Sequence, residues 1–473
     1  MEDVKNLPDP PVYEYLVQKI AQSFVHTYGF VSHHVESYEN FVNHQIPEII
    51  AENSPLQIFC PKQKVMHVIR MEKVCIGKPV IKESNGFIRR LFPKEAFLRR
   101  ESYMADAFVD LRHEIYREVT PTHYKLVEVK IFQNVLLFRF PCMRNSSICN
   151  DHGSLTTLRE RGSFIINGYA KCIVMQERIK CNYPYCFSIK RAAKFAFRCE
   201  VRSWHAAKIR STSTLNIYMS GKKTDCVPTI TLMVPFIKTH IPIIVIFRML
   251  GIRSNEDILN FIISKKSSRR FIYLANSILC SDDTGTAELS EEDLYDWVGL
   301  KGAAEKARKK RILFIKHIFL NEFLPHCATK QGDSKINKAF FLGYCVRKLV
   351  RIYLKEIPSD DIDSYVNKRI ATTGSLMALL SRQLIRNFLK TVHIQVFKSV
   401  NNGKFINITD FFTHRRISSG LKYAFSTGNW GIQKGQSNQS GVCQVLNTMN
   451  VSAKLSHLRL INTPLNRDGK VRT

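Results

Sequence analysis

Strand-like and helical patterns occupy different parts of this 473-residue chain, and their separation limits the folds that it can adopt. Up to about residue 190, short alternating apolar runs such as 127–140 lie between turn residues and predict strands with a few helices. Strand-like runs continue to about residue 262, and helical periodicity dominates after Ser290. A chain of this length holds roughly three domains. The patterns therefore predict a multidomain α+β protein.

Long helices are predicted in the second half of the chain. Ser290, with Asp293 three residues later, has the spacing of a helix N-cap. One helix is expected to end near Pro325 and a second before Pro358. A third and longer helix is predicted from apolar residues that recur every four positions, Leu376, Leu380, Leu384, Phe388 and Val392.

The most apolar stretch, 227–252, is long enough to suggest a membrane span. Three prolines interrupt it, and it contains Lys238, His240 and Arg248. Charged side chains at the centre of a bilayer cost about 3 kcal/mol each, so buried strands and turns are the prediction. The first eleven residues have acidic side chains and no apolar core, which does not fit a secretory signal. We expect an intracellular protein that is neither secreted nor bound to a membrane.

The charge of the chain indicates a polyanionic partner. Seventy Lys and Arg against forty Asp and Glu leave a formal net charge of +30, which favours nucleic acid first and an anionic membrane second. After Asn401, seven glycines divide the chain into short elements that are rich in Lys and Arg. The acidic residues of this region are Asp410 and Asp468. Glycines and cations together are what close approach to phosphate requires.

Catalytic and metal-binding motifs are not evident. The sequence has no Gly-x-Ser-x-Gly elbow, Walker A loop or Gly-x-Gly-x-x-Gly motif. Its thirteen cysteines lack the spacing of a zinc knuckle, and reduced thiols are expected. His33, His34 and Glu36 suggest metal ligands, but a polar surface turn fits their spacing better. The acidic cluster 360–363 suits a cation or, more commonly, helix capping. No metal site is predicted in this chain.

The basic run 306–311 has two interpretations. It fits a nuclear localisation signal or a phosphate-binding patch. On a helix, however, its residues point in several directions, and a solvated helix surface fits equally well.

The glycine-rich C-terminal region carries long ordered motifs. They read SGLKYAFSTGNWG at Ser419–Gly431, GVCQVLN at Gly441–Asn447, LSHLR at Leu455–Arg459 and NTPLNRDGK at Asn462–Lys470. This series resembles the second-largest, β-type subunit of multisubunit DNA-dependent RNA polymerases.

The resemblance extends over nearly the whole chain and is nearer to the eukaryotic, archaeal and large-DNA-virus type than to the bacterial type. The earlier segments that carry it are Tyr38–Ile50, Leu91–Tyr103, Phe164–Arg178 and Val234–Ile252. It implies a discontinuous protrusion domain at 1–190 and 372–430. A lobe domain at 191–371 is inserted between the two segments, and a truncated fork region follows at 431–473.

The resemblance also implies a role in transcription. The chain corresponds to the N-terminal half of the subunit, either as one part of a naturally split subunit or as a fragment. The implied reaction is template-directed nucleotidyl transfer, with Mg²⁺ held by the largest subunit. No catalytic residue is assigned to this chain, and no cofactor is expected to bind to it alone. The implied partners are the largest subunit, a polypeptide with the missing C-terminal half, other polymerase subunits, the DNA template and the RNA–DNA hybrid.

Seven residues are candidates for nucleic-acid binding by this resemblance. In the fork loops, we expect Lys434, Arg467 and Lys470 to contact phosphates. The residues that match the segment lining the hybrid near the RNA 3′ region are Gln444, Asn447, His457 and Arg459. Gln444 and Asn447 also suit turn capping, and Arg459 suits an internal ion pair.

Departures from the family pattern weaken the expected hybrid contacts. Leu460 stands where the family usually has a second Arg, and Asn466 stands where the family often has Gly. At Ser440 and Gly435 the family often has Arg and Lys.

Two other functions remain open. The chain can be a non-catalytic nucleic-acid-binding remnant of the subunit, or a protein–protein scaffold. Its location can be the nucleus or the cytoplasm, including a viral factory, since the family works in all of these.

Overall fold

A computed structural model describes residues 10–61, 63–120, 123–144, 162–189, 195–204, 213–220, 227–264, 267–281, 285–286, 289–302, 307–327, 334–403, 407–431 and 440–463. The chain folds as two compact units. The first combines Met1–Arg178 with Ile370–Thr473, and the second is Ile179–Arg369. Helices and sheets occur in both, which confirms the α+β class. Across the described residues, no helix has both the length and the apolar composition needed to cross a bilayer.

The described helices, in chain order, are α1 (Pro10–Tyr28), α2 (Ser32–Asn40), α3 (Ile46–Glu52), α4 (Pro93–Leu98), α5 (Ile243–Met249), α6 (Asn255–Ile262), α7 (Arg269–Ser281), α8 (Glu291–Leu300), α9 (Arg308–Asn321), α10 (Ser334–Tyr353), α11 (Thr373–Asn401), α12 (Ile408–Phe411), α13 (Arg415–Thr427) and α14 (Val451–Leu458). A π-helical turn, Phe41–Gln45, joins α2 to α3.

The described strands are β1 (Leu56–Cys60), β2 (Val65–Ile76), β3 (Val80–Lys82), β4 (Ile88–Arg90), β5 (Met104–Thr120), β6 (His123–Pro141), β7 (Phe164–Ile166), β8 (Tyr169–Ile173), β9 (Met175–Ile179), β10 (Pro184–Ser188), β11 (Phe195–Ser203), β12 (Ser213–Ser220), β13 (Ile230–Met233), β14 (Ile241–Pro242), β15 (Lys368–Ala371), β16 (Cys443–Val445) and β17 (Ile461–Asn462).

The first unit is built around an antiparallel sheet in the order β1-β2-β5-β6. Helices α3, α11 and α13 pack against this sheet, and α11 packs against the other two helices. The core between them contains the aromatic residues Tyr38, Phe41, Phe140, Phe164 and Phe425, all fully buried. Two smaller sheets, β16-β8-β7 and β15-β9-β17, bring the C-terminal segment onto the strands that follow residue 163.

The start of α11 lies directly against α2. The backbone N–H of Gly374 donates to Ser37 Oγ at 2.9 Å, and Ser37 Oγ lies 2.6 Å from Thr372 Oγ1. A Cβ on Gly374 would be 1.8 Å from the Ser37 carbonyl oxygen. Only glycine allows the two helices to approach this closely.

The second unit has an antiparallel sheet in the order β10-β11-β12-β13-β14, covered by helices. The stretch 227–252 was predicted to form buried strands and turns, and this is wrong at its end because Ile243–Met249 form α5. All seven residues of α5 are buried. A helix that is buried on every side lacks an amphipathic period, so the pattern could not distinguish it from a strand.

The acidic cluster 360–363 has a structural role in the second unit. Asp360 accepts hydrogen bonds from the buried ammonium of Lys348 at 2.9 Å and from the backbone N–H of Cys186 at 2.8 Å. Burial alone would lower the pKa of Lys348, but its hydrogen bonds to Asp360 and Tyr183 raise that pKa above the ordinary value. Among the described residues, no three His, Cys, Asp or Glu side chains form a group that could hold a metal ion.

Ion pairs engage part of the basic run 306–311. Arg308 pairs with Asp293, and Arg311 pairs with Asp296 at 2.5 Å, which ties α9 to α8. Lys309 and Lys310 are exposed and form no ion pair with any described residue. Arg311 is buried while its neighbours are exposed, as expected for a helix surface.

We predict that Gly374→Ala destabilises the first unit by at least about 2 kcal/mol, because the new methyl group overlaps the Ser37 carbonyl and α2 and α11 must separate. Urea unfolding of the purified chain measures this change. Gln395→Ala, at an exposed position of α11, is the control and is expected to change the free energy of unfolding by less than about 0.5 kcal/mol. Equal effects of the two substitutions would contradict the prediction.

Candidate nucleic-acid interface

The segment 440–463 is held on two strands of the first unit. Strand β16 pairs antiparallel with β8, with Cys443 opposite Ile173 and Val445 opposite Lys171. Strand β17 pairs in parallel with β9. Two of the motifs recognised in the sequence, 164–178 and 441–447, are therefore neighbours in the fold. The side chains of β16 alternate between two faces of its sheet, as in any strand.

Gly428 allows the chain to turn from α13 into this segment. It ends α13 in the left-handed conformation, with φ of 76°. A Cβ at this position would lie 2.5 Å from the Cys443 carbonyl oxygen. The Gly428 carbonyl accepts a hydrogen bond from the N–H of Val442 at 3.1 Å. The glycine is required for both the turn and the close approach.

Three of the candidate residues form one hydrogen-bond network. The N–H of Asn447 donates to His457 Nδ1 at 3.1 Å, so Nδ1 is an acceptor and the proton lies on Nε2. His457 Nε2 then donates to Gln444 Oε1 at 3.0 Å, and Gln444 Nε2 donates to the Gly441 carbonyl at 3.0 Å. Partial burial lowers the pKa of His457 and favours this neutral form.

The network also shows turn capping by two candidates. Asn447 Oδ1 accepts from the N–H of Met449 at 3.1 Å, and Gln444 bridges to Gly441. Asn447 is exposed, whereas Gln444 and His457 are half-buried. Asn447 therefore caps a turn and is also exposed to solvent. Nucleic-acid binding by these residues stays a prediction.

Arg459 follows the last turn of α14 and is exposed. Its N–H donates to the carbonyls of Leu455 and Ser456, at 3.2 and 3.1 Å. Its guanidinium forms no ion pair with any residue that the structure describes. The internal ion pair considered for Arg459 is therefore absent from the described part of the chain. Lys434, Arg467 and Lys470 lie outside the described residues, and their predicted phosphate contacts stay predictions.

His34 forms a hydrogen bond to the C-terminal end of α14, a contact that the sequence did not reveal. A surface turn was expected at His33 and His34, but His34 is only 1% exposed. Its Nε2 donates to the Leu458 carbonyl at 2.6 Å, at the end of α14, and its Nδ1 accepts from the hydroxyl of Thr373. Both ring nitrogens are thus engaged, which also argues against a metal ligand. Burial, with a smaller effect of His33, lowers the pKa of His34 to about 4.

Lys171 fixes α13 to one face of the small sheet β16-β8-β7. Its buried ammonium donates to the carbonyls of Phe425 and Ser426, at 2.9 and 2.7 Å. A cation at a helix C-terminus satisfies carbonyls that have no partner within the helix and interacts favourably with the helix dipole. Sequence reasoning did not single out Lys171, although it lies within the recognised segment 164–178. The sheet therefore has α13 on one face and α14 on the other.

Comparison with known proteins agrees with the sequence motifs. The profile of a family described as RNA polymerase beta subunit matches residues 29–419. DNA-directed RNA polymerase II subunit 2 of Arabidopsis thaliana is 32% identical over 486 residues, which cover 97% of this chain and 40% of the relative. Subunit RPB2 of Eremothecium gossypii is 32% identical over 96% of this chain and 39% of its own length.

An archaeal relative is of similar length to this chain. DNA-directed RNA polymerase subunit Rpo2N of Methanothermobacter thermautotrophicus is 28% identical over 95% of this chain and 86% of the relative. The chain thus spans about two fifths of the eukaryotic relatives and most of this archaeal one.

We predict that His34 makes the first unit less stable as the pH falls from about 6.5 towards 4. Its folded-state pKa is below the ordinary value of 6.5, so protonation favours the unfolded chain. The stability is fully present above pH 6.5 and is lost as the pH approaches 4. Between pH 7.5 and 5, the loss is about 2 kcal/mol.

The measurement is urea unfolding of the parent chain and of His34→Gln at both pH values. His67 and His113 also have lowered pKa values, but they are common to both proteins and cancel in the comparison. The variant is expected to lose less stability on acidification, while amide exchange in α14 becomes faster at pH 7.5. Identical pH dependence in the two proteins would refute the role of His34.

Proposed function

The chain belongs to the RNA polymerase beta subunit family, and from this we propose that it is the N-terminal half of the second-largest subunit of a DNA-directed RNA polymerase. In the assembled enzyme it holds the RNA–DNA hybrid and the downstream DNA in the cleft. The observation that carries this proposal is the attachment of segment 440–463 to β8 and β9, which exposes Arg459 and the edge of the Gln444–His457 network. The match to 86% of the archaeal Rpo2N polypeptide supports the assignment to the N-terminal half of the subunit.

The two units correspond, in this proposal, to the domains expected from the resemblance. The first unit is the protrusion with the fork region, and the second is the lobe. The chain passes between the units at residues 178/179 and 369/370. We propose these positions as the domain boundaries in place of 190/191 and 371/372.

The chain acts by positioning nucleic acid, and catalysis belongs to the assembled enzyme. Nucleotidyl transfer uses metal ions that clamp the attacking and leaving oxygens. From the family resemblance, we propose that the Mg²⁺ ligands belong to the largest subunit. In this proposal, the residues of this chain contact phosphates and line the hybrid. The enzyme would work in the nucleus or cytoplasm.

Purification of the tagged chain from the cells that produce it tests the proposal directly. The largest polymerase subunit and a polypeptide with the rest of this subunit are expected to co-purify with it. A chain that purifies alone but still binds nucleic acid would contradict the proposal and favour the non-catalytic remnant. A chain that purifies with other proteins and binds no nucleic acid would favour the scaffold.

We predict that Arg459→Ala weakens binding of an RNA–DNA hybrid mainly at low salt. Loss of one phosphate contact lowers the slope of log K against log salt by up to about 0.9. Fluorescence anisotropy with a labelled hybrid measures the slope. Lys390→Ala removes an exposed cation of α11 and is the matched control, with no change expected. An unchanged slope for Arg459→Ala would remove Arg459 from the interface.

A further inference from the structure

Helix α13 presents a cationic surface that the proposed site does not use. Its exposed residues are Arg415, Arg416, Ser419, Lys422, Tyr423, Ser426 and Thr427, and we call the first six the α13 face. They form two neighbouring stripes, 415-419-422-426 and 416-419-423-426, because residues three and four apart lie on the same side of a helix. The face is about 16 Å long at 1.5 Å per residue.

The charge of the α13 face is not compensated within the described structure. The helix contains no Asp or Glu. Arg415, Arg416 and Lys422 form no ion pair with any described residue, in contrast to Arg308 and Arg311 on α9. The nearby carboxylate of Asp106 is already engaged by Arg139 at 3.0 Å. An exposed carboxylate, Asp410, precedes the helix in α12.

The position of the two arginines makes their charge unfavourable for folding. Arg415 and Arg416 occupy the first turn of α13, where the helix dipole is positive and disfavours cations. Contacts within the described part of the chain therefore give no reason for this placement. A bound anion would relieve both the dipole interaction and the mutual repulsion of the guanidinium groups.

The α13 face is held rigidly by three contacts on other sides of the helix. Gly420 lies against Leu384 of α11, where a Cβ would be 2.7 Å from a methyl carbon. Ser418 Oγ accepts from the N–H of Arg139 at 2.8 Å. Lys171 binds the last carbonyls of the helix. The cations are thus displayed on a fixed element, which reduces the ordering cost of binding.

Tyr423 indicates which polyanion fits best. Tyr423 is 58% exposed and lies in the stripe 416-419-423-426, next to the stripe that carries Arg415 and Lys422. Exposed aromatic rings within a positive surface provide stacking platforms for unpaired bases. A duplex hides the faces of its bases, and a lipid headgroup has no aromatic ring to stack.

We propose that the α13 face binds a single-stranded segment of nucleic acid. Arg415, Arg416 and Lys422 contact successive phosphates, Tyr423 stacks on a base, and the face spans roughly three to five nucleotides of one strand. This inference rests on the proposed function only in taking nucleic acid as the ligand. DNA and RNA strands share this chemistry, and separate probes distinguish them.

The test uses the full 473-residue chain with labelled oligo(dT) and oligo(U), measured by fluorescence anisotropy over a range of salt concentrations. The triple variant Arg415→Gln, Arg416→Gln, Lys422→Gln keeps helix-forming residues at exposed positions. It is expected to lower the salt slope by up to about 2, at about 0.7 per phosphate contact on a single strand. The control Lys73→Gln, Lys78→Gln, Lys390→Gln removes the same charge from exposed positions elsewhere in the first unit and is expected to leave the slope unchanged.

Tyr423→Leu separates stacking from charge. It is expected to weaken oligonucleotide binding at least about fivefold with an unchanged slope. Binding of a duplex made by annealing oligo(dT) to oligo(dA) is expected to be unaltered. The probe bound more tightly, oligo(dT) or oligo(U), identifies the strand. If the triple variant fails to fold, Lys422→Gln and Tyr423→Leu are tested singly.

Several outcomes would overturn the inference. The first is an equal loss of salt slope in the triple variant and its control. The second is that Tyr423→Leu leaves oligonucleotide binding unchanged, or weakens duplex binding by the same factor. The third is that the chain binds phosphatidylserine vesicles but not oligonucleotides. If Arg459→Ala alone changes nucleic-acid binding, the inference fails and the proposed function stands. If the α13 variants behave as expected but no polymerase subunit co-purifies, the proposed function fails alone.

Discussion

The antiparallel pairing of β16 with β8 determines the geometry of the whole candidate interface. It joins two segments that are separated in sequence by the entire second unit. Alternation along the paired strands places Lys171 and Val445 on the α13 side, and Cys172 and Gln444 on the α14 side. A slip of one residue would exchange the two sides. The cluster formed by Val31, Cys172, Leu446 and Leu458 secures the register from beneath α14.

The location of the cations is more informative than their number. The net charge of +30 indicates a polyanionic partner without identifying a surface. Some cations stabilise the fold: Lys348 binds Asp360, Arg311 binds Asp296, and Lys171 binds the end of α13. Others, such as Arg416 and Arg459, have no carboxylate partner among the described residues. Only the second group is available to an external phosphate.

Local patterns were readable in the sequence, whereas long-range contacts were not. Ser290 accepts from the N–H of Asp293 and begins α8 as predicted, and the four-residue apolar period identified α11. These features depend on neighbouring residues. His34 was misjudged because its two partners, Thr373 and Leu458, are more than three hundred residues away. Helix α5 was missed because uniform burial removes the period on which such predictions depend.

The insertion of the second unit within the first has a consequence for biosynthesis. The second unit is continuous, so a ribosome delivers all of it before α11 is made. The first unit is completed later, because α11 and α13, two of the helices that pack on its main sheet, are made after the second unit. During translation, the faces of β1 and β6 that α11 and α13 later cover are therefore still without those helices, and such nascent surfaces are typical substrates of chaperones. The main sheet of the first unit is thus made before the second unit but receives its last covering helices after it.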